Sequence, residues 1–170
     1  RFQEAEFLLD ELQTIDTNNE EIFIQRANIL SKQDNHQGAI GMLMHALDMT
    51  EDNFDIYSLL GMEYLFIDDF EKAKHSFMKC LDVDQSDYSS LYNVVYCFEF
   101  LEDFDGAIHF LNEYLERNPY CEVAWHQLGK MYNSKNMLKE ALAAYDFAII
   151  SDESFLGAYF EKGKILEKLG

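Results

Sequence analysis

Residues Glu122–Glu153 read EVAWHQLGKMYNSKNMLKEALAAYDFAIISDE. Leu128, Gly129 and Tyr132 follow Trp125 by three, four and seven residues, so the four share one face of a helix. Ala141, Tyr145 and Ala148 repeat the spacing after a polar break, which predicts a second helix packed face to face on the first.

The same offsets run through the whole chain. Ala5, Ala39, Ala73, Ala107 and Ala141 are each 34 residues apart. A bulky residue stands three places before each (Phe2, His36, Phe70, Phe104, Leu138), and a large apolar one four places after (Leu9, Leu43, Phe77, Leu111, Tyr145). Sixteen residues before Ala39, Ala73, Ala107 and Ala141 lie Phe23, Tyr57, Leu91 and Trp125, with Tyr159 continuing the series. Leu30, Tyr64, Phe98, Tyr132 and Leu166 follow them two helical turns later. Between these series one position is mostly small: Ala27, Gly61, Val95, Gly129 and Gly163.

A 34-residue unit of paired helices carrying W-x2-L-G-x2-Y, then A-x3-F, then A and P, resembles the tetratricopeptide repeat family. Trp125, Leu128, Gly129, Tyr132, Ala141 and Ala148 match literally, Tyr145 conservatively, and Pro119 stands at the proline position of the preceding unit. In that register 1–19 is a partial unit, 20–53, 54–87, 88–121 and 122–155 are full units, and 156–170 is a partial one. Helices are expected at about 2–14, 20–33, 36–49, 54–67, 70–83, 88–101, 104–117, 122–135, 138–150 and 156–169. The expectation is one all-α, right-handed superhelical solenoid of antiparallel helix pairs. It is read as part of a longer protein, since the chain starts at Arg1 and both ends cut through a unit.

Asp52, Ser86 and Ser154 are expected to cap helices, and Asp68-Asp69 and Glu102-Asp103 to form tight turns. Val95 and Tyr114 are large for their positions, so a local change of pitch is expected in the unit 88–121. Arg26 and Lys162 replace a usual Leu, their stems covering apolar surface while the charge reaches water.

Composition excludes several classes. The 48% of hydrophobic residues, 15% of the chain being aromatic, suffices for a core. A net charge of -19 argues against nucleic acid, whose binding needs clustered Lys and Arg. The acid is concentrated in residues 1–121, with 7 basic against 25 acidic residues, compared with 6 and 7 in 122–170. That asymmetry steers a basic partner toward the first part of the chain. Cys80, Cys97 and Cys121 form no CxxC pair, which fits a reducing, cytoplasmic setting. No apolar run is long enough to insert in a membrane.

Signatures of chemistry are missing. There is no phosphate-binding glycine loop and no HExxH, and the calcium-like Asp82-Val83-Asp84 has Asp87 where Gly is needed. The five histidines are read as solvated and Glu63 as a lone carboxylate without a partner. No catalysis, metal or cofactor is expected.

What remains is surface. The resemblance implies that first helices line a concave groove holding an extended or helical peptide. Carried over unit by unit, the groove positions include Asn28; Asp55, Met62 and Phe66; Tyr92, Tyr96, Glu99 and Phe100; and Lys130. Met and aromatic residues suit a binding hot spot, so Tyr92 and Tyr96 are its expected centre. Phe66 and Phe100 are equally well read as packing against the next unit. Glu21, Asp55 and Glu99, followed by Lys130, Lys164 and Lys168, would polarise the groove. The Lys positions with which family members clamp acidic chaperone tails hold Ile24, Ser58 and Tyr92 instead, against that partner. The expected function is a protein-interaction scaffold for a basic or amphipathic peptide, the alternative being homo-oligomerisation through the groove or the solenoid ends.

Overall fold

The computed structural model describes residues 2–16, 19–50 and 53–169. Ten helices, and no strand among the described residues, follow one another: α1 (Phe2–Ile15), α2 (Glu20–Ser31), α3 (His36–Leu47), α4 (Phe54–Phe66), α5 (Phe70–Val83), α6 (Tyr88–Phe100), α7 (Phe104–Arg117), α8 (Glu122–Ser134), α9 (Leu138–Ser151) and α10 (Leu156–Leu169). Every expected helix is present to within about two residues, an all-α solenoid of antiparallel helix pairs. No described helix is long and apolar enough to cross a membrane.

The turns inside the pairs are one device used four times. Asp34, Asp68, Glu102 and Asn136 hold φ of 59°, 57°, 54° and 57°. The next N–H reaches back five residues, Asn35 to Leu30, Asp69 to Tyr64, Asp103 to Phe98 and Met137 to Tyr132, at 2.9 to 3.0 Å. This is the Schellman closure, which satisfies carbonyls left open at a helix end. The residue that closes one helix also caps the next. The side chains of Asn35, Asp69 and Asp103 accept from the N–H groups of Gly38, Lys72 and Gly106, whereas Met137 has no oxygen to offer.

The expected junction caps are corrected. Asp52 lies outside the described residues, and Asn53 caps α4 by accepting from Ile56. At α6 the cap is Asp87, accepting from Ser89 and Ser90, while Ser86 donates its hydroxyl to Asp84. Ser154 likewise donates to Asp152. A carboxylate accepts without giving up a proton, so it takes the capping role from a neighbouring hydroxyl.

The chain forms two compact units, 1–97 and 98–170. In the first, α2 packs on α3, α3 on α4 and α4 on α5. Its core gathers Ala27, Ala39, Leu43, Ile56 and Leu60, and a Cβ added to Gly61 would lie 2.6 Å from the Phe77 ring. In the second, α7, α8, α9 and α10 pack in sequence around Ala141, Tyr145, Ala148, Ala158 and Ile165. Gly129 there admits the Tyr145 ring, 2.4 Å from where a Cβ would be. Trp125 donates from Nε1 to the Pro119 carbonyl at 2.8 Å and stacks on Phe147. Val95 and Tyr114 are both buried.

Arg26 and Lys162 each find a carboxylate on the preceding helix. Arg26 meets Asp10 at 2.5 Å and Lys162 meets Asp146, both across sixteen residues of sequence.

A candidate peptide-binding face

On the first helices α4 and α6 of the first unit, several large apolar side chains lie outside. On α4 they are Met62 and Phe66, the latter 59% exposed; on α6 they are Tyr88, Tyr92 and Tyr96, at 41%, 42% and 43%. Tyr92 and Tyr96 are one turn apart, and Tyr96 lies edge-on to Phe70, with ring centroids 6.4 Å apart. Phe66 does not sink into a following unit but stacks on His36, at 4.6 Å and 15°. Asp55 is exposed in the first turn of α4, and Asn28 is half-buried in α2.

In the second unit Phe100 is exposed. Glu99 and Lys130 face each other at 3.5 Å, and Lys164 is held by Glu161 at 2.9 Å. Two of the three lysines expected in the groove, Lys130 and Lys164, thus have a carboxylate close by. Phe160 lies exposed beneath the Lys164 ammonium, 4.2 Å from its centroid.

Two histidines depart from the solvated reading. His36 Nδ1 stands 2.8 Å from Glu63 Oε2, and only 7% of the Glu63 side chain is exposed. Glu63 therefore has a partner. Sequence reasoning read each residue alone, yet a signal was present. The positions equivalent to 36 and 63 hold Phe70 and Cys97, Phe104 and Met131, and Leu138 and Ile165, apolar together in every case. Only here are both polar. His126 lies against Tyr145 and Phe155, with centroids at 5.8 and 5.3 Å, and neither its ring nitrogens nor the Tyr145 hydroxyl has a hydrogen-bond partner. Burial pushes the His126 pKa down, the Lys130 charge adds to this, and Glu161 opposes it. The same burial pushes the Tyr145 hydroxyl well up.

All three cysteines are buried. Loss of solvation raises the Cys97 thiol to about 11, far from a thiolate nucleophile at neutral pH. Cys121 serves as a cap, its Sγ accepting from Ala124 N–H at 3.4 Å.

The tetratricopeptide repeat family model matches residues 54–87 and 88–121. Those two units are tetratricopeptide repeats. Anaphase-promoting complex subunit 3 of Schizosaccharomyces pombe is 29% identical over 156 residues, 91% of this chain and 24% of that protein. The chain thus spans about a quarter of the length of that relative. Among solved structures, the tetratricopeptide repeat protein YrrB, described as having an unusual peptide-binding site, is 20% identical, with a TM-score of 0.65 over 95% of this chain and 84% of that one. MamA from Desulfovibrio magneticus is 14% identical, with a TM-score of 0.63 over 88% and 84%. The repeat fold is what these likenesses share.

Proposed function

We propose that this tetratricopeptide repeat array is a scaffold that captures a peptide or helical segment of a partner protein on the first-helix face of residues 1–97, centred on Tyr92 and Tyr96. The observation that carries the reading is the exposure of those two rings, one turn apart on α6, with Met62 and Phe66 exposed on α4. Exposed aromatic and Met clusters are enriched where proteins bind each other. The acid of the first 121 residues favours a basic or amphipathic segment. A likeness to a segment of a complex subunit and to a peptide-binding repeat protein fits the same role.

Peptides selected by phage display on the 170-residue chain, then titrated calorimetrically, test it. Tyr92→Ala with Tyr96→Ala should weaken the selected peptides by about thirtyfold or more, as hot-spot truncation does, with the circular dichroism of the chain unchanged. Equal affinity of the double variant overturns the site.

A second reading rests on the ends. Phe7, Leu8, Leu12 and Ile15 on α1, and Leu156 and Phe160 on α10, are exposed apolar side chains that suit contact with a second copy. Light scattering across concentration decides it: a strict monomer removes self-assembly.

A further inference from the structure

The outer stripe of the second helices is polar until α9. At the register of Phe147 the earlier second helices carry Glu11, His45, Lys79 and Glu113; at that of Ile150 they carry Thr14, Asp48, Asp82 and Glu116. Only α9 is apolar at both. Phe147 is 48% and Ile150 70% exposed, and exposed Ala143, one turn before Phe147, continues the stripe on the same helix face. Packing inside the unit accounts for the ring alone: Phe147 stacks on Trp125, whose Nε1 donates to the Pro119 carbonyl. Ile150 gains little from the fold. An apolar patch of this kind, rimmed by polar residues, marks a surface that meets another protein.

A further departure stands at the start of the same helix. Lys139 is exposed in the first turn of α9, where Gln37, Glu71 and Asp105 occupy the equivalent place in α3, α5 and α7. A cation there opposes the helix dipole. Among the described residues neither Lys139 nor exposed Glu153, just past the end of α9, has an ion pair or side-chain hydrogen bond.

We infer that the outer face of α9 is a contact between two copies of this chain, their α9 helices lying antiparallel about a two-fold axis near Phe147. A two-fold contact must be self-complementary, residue i meeting j and j meeting i. This stripe meets that condition. With the axis near Phe147, Ala143 of each copy faces Ile150 of the other, so a small residue receives a large one in both halves. Lys139 then lies at the C-terminal end of the other α9, beside Glu153. The cation that opposes its own helix dipole complements the other one. Net charge selects the same place. Two chains of charge -19 repel, yet residues 122–170 hold 6 basic and 7 acidic residues, so this part of the surface meets its copy with the least repulsion.

Analytical ultracentrifugation of the 170-residue chain across concentration should show a monomer–dimer equilibrium. Phe147→Lys with Ile150→Asp, the pair that α5 carries, should weaken it by at least about tenfold with the circular dichroism unchanged. Ile150→Asp alone carries the same expectation if the double variant fails to fold. Lys139→Glu should weaken the dimer and Lys139→Glu with Glu153→Lys should restore it, a recovery that a change confined to one chain would not produce. Leu8→Asp with Phe160→Asp, and Tyr92→Ala with Tyr96→Ala, should leave the equilibrium in place, which separates this contact from the exposed ends and from the proposed peptide face. The inference is overturned by a strict monomer, by a dimer that Ile150→Asp leaves intact, or by a dimer that the Leu8 and Phe160 variant abolishes.

Discussion

His36 and Glu63 hydrogen-bond at 2.8 Å across the α3–α4 contact, at a repeat position where every other fully paired unit is apolar on both sides. A buried polar group is tolerated when its partner is present and costs most when one member is removed. His36→Phe alone should therefore destabilise the chain by about 2–3 kcal/mol, by leaving the buried carboxylate unpaired. His36→Phe with Glu63→Met, which restores the apolar pair of positions 104 and 131, should recover most of that loss. Urea unfolding of the two singles and the double closes the cycle; additive losses would show that the pair is not coupled.

Arg26 and Asp10 make the same trade more cheaply. Where Arg26 and Lys162 stand, Leu60 and Leu128 occupy the interior repeats; where Asp10 and Asp146 stand, the first of those has Met44. Asp10 is largely exposed, so its removal should cost no more than about 1 kcal/mol. Arg26→Leu with Asp10→Met should match or exceed the parent, as apolar replacements of ion pairs often do. A lower thermal midpoint for that double variant argues against the exchange.

The frame of the protein was open to reading because each unit repeats the same packing problem, and five alanines 34 residues apart reveal its period. Helix ends followed, and so did the close approach at Gly61 and Gly129. Pairings across units were not read, although His36 with Glu63 and Arg26 with Asp10 had changed character together. A polar residue at an apolar repeat position was weighed alone, and the fold is what brings its partner near.

The glycines of the small position separate by context. Alanine usually gains about 1 kcal/mol over glycine inside a helix. At Gly129, however, the new Cβ would meet a Tyr145 ring that is fully buried and cannot step aside. Overpacking of that kind costs about 1–3 kcal/mol, so Gly129→Ala should lower stability, as Gly61→Ala should against Phe77. Gly163 has nothing within 4 Å of a Cβ. Gly163→Ala should keep the propensity gain, and thermal melts of the three variants should order them accordingly.

Met137 is the one residue of its turn series that cannot cap. Asp69 and Asp103 at the equivalent positions accept from the third N–H of the helix they start, and loss of such a cap costs about 1 kcal/mol. Met137→Asp should add a similar amount, Asp103→Ala should lose it, and amide exchange at Glu140 should slow only in the first. Met137 is half-buried, so a net loss for Met137→Asp would mean that its apolar contact outweighs the cap.

His126 should make the second unit sensitive to mild acid. Its ring is enclosed by Tyr145 and Phe155, and burial, with Lys130 adding and Glu161 opposing, holds its pKa below the ordinary 6.5. As pH falls through that value the unfolded chain takes up a proton at this imidazole and the folded chain does not, so acidification favours unfolding. Stability from this source is full above about pH 6.5 and is lost progressively until the lower, folded pKa is reached. Asp69 and Asp152, held below their usual range by Lys72 and Ser154, lose their contributions only under stronger acid, below about 3.8. His126→Phe removes the titrating ring without leaving a polar atom behind. Urea midpoints between pH 7 and 5 should fall in the parent and flatten in the variant; parallel slopes would place the acid sensitivity elsewhere.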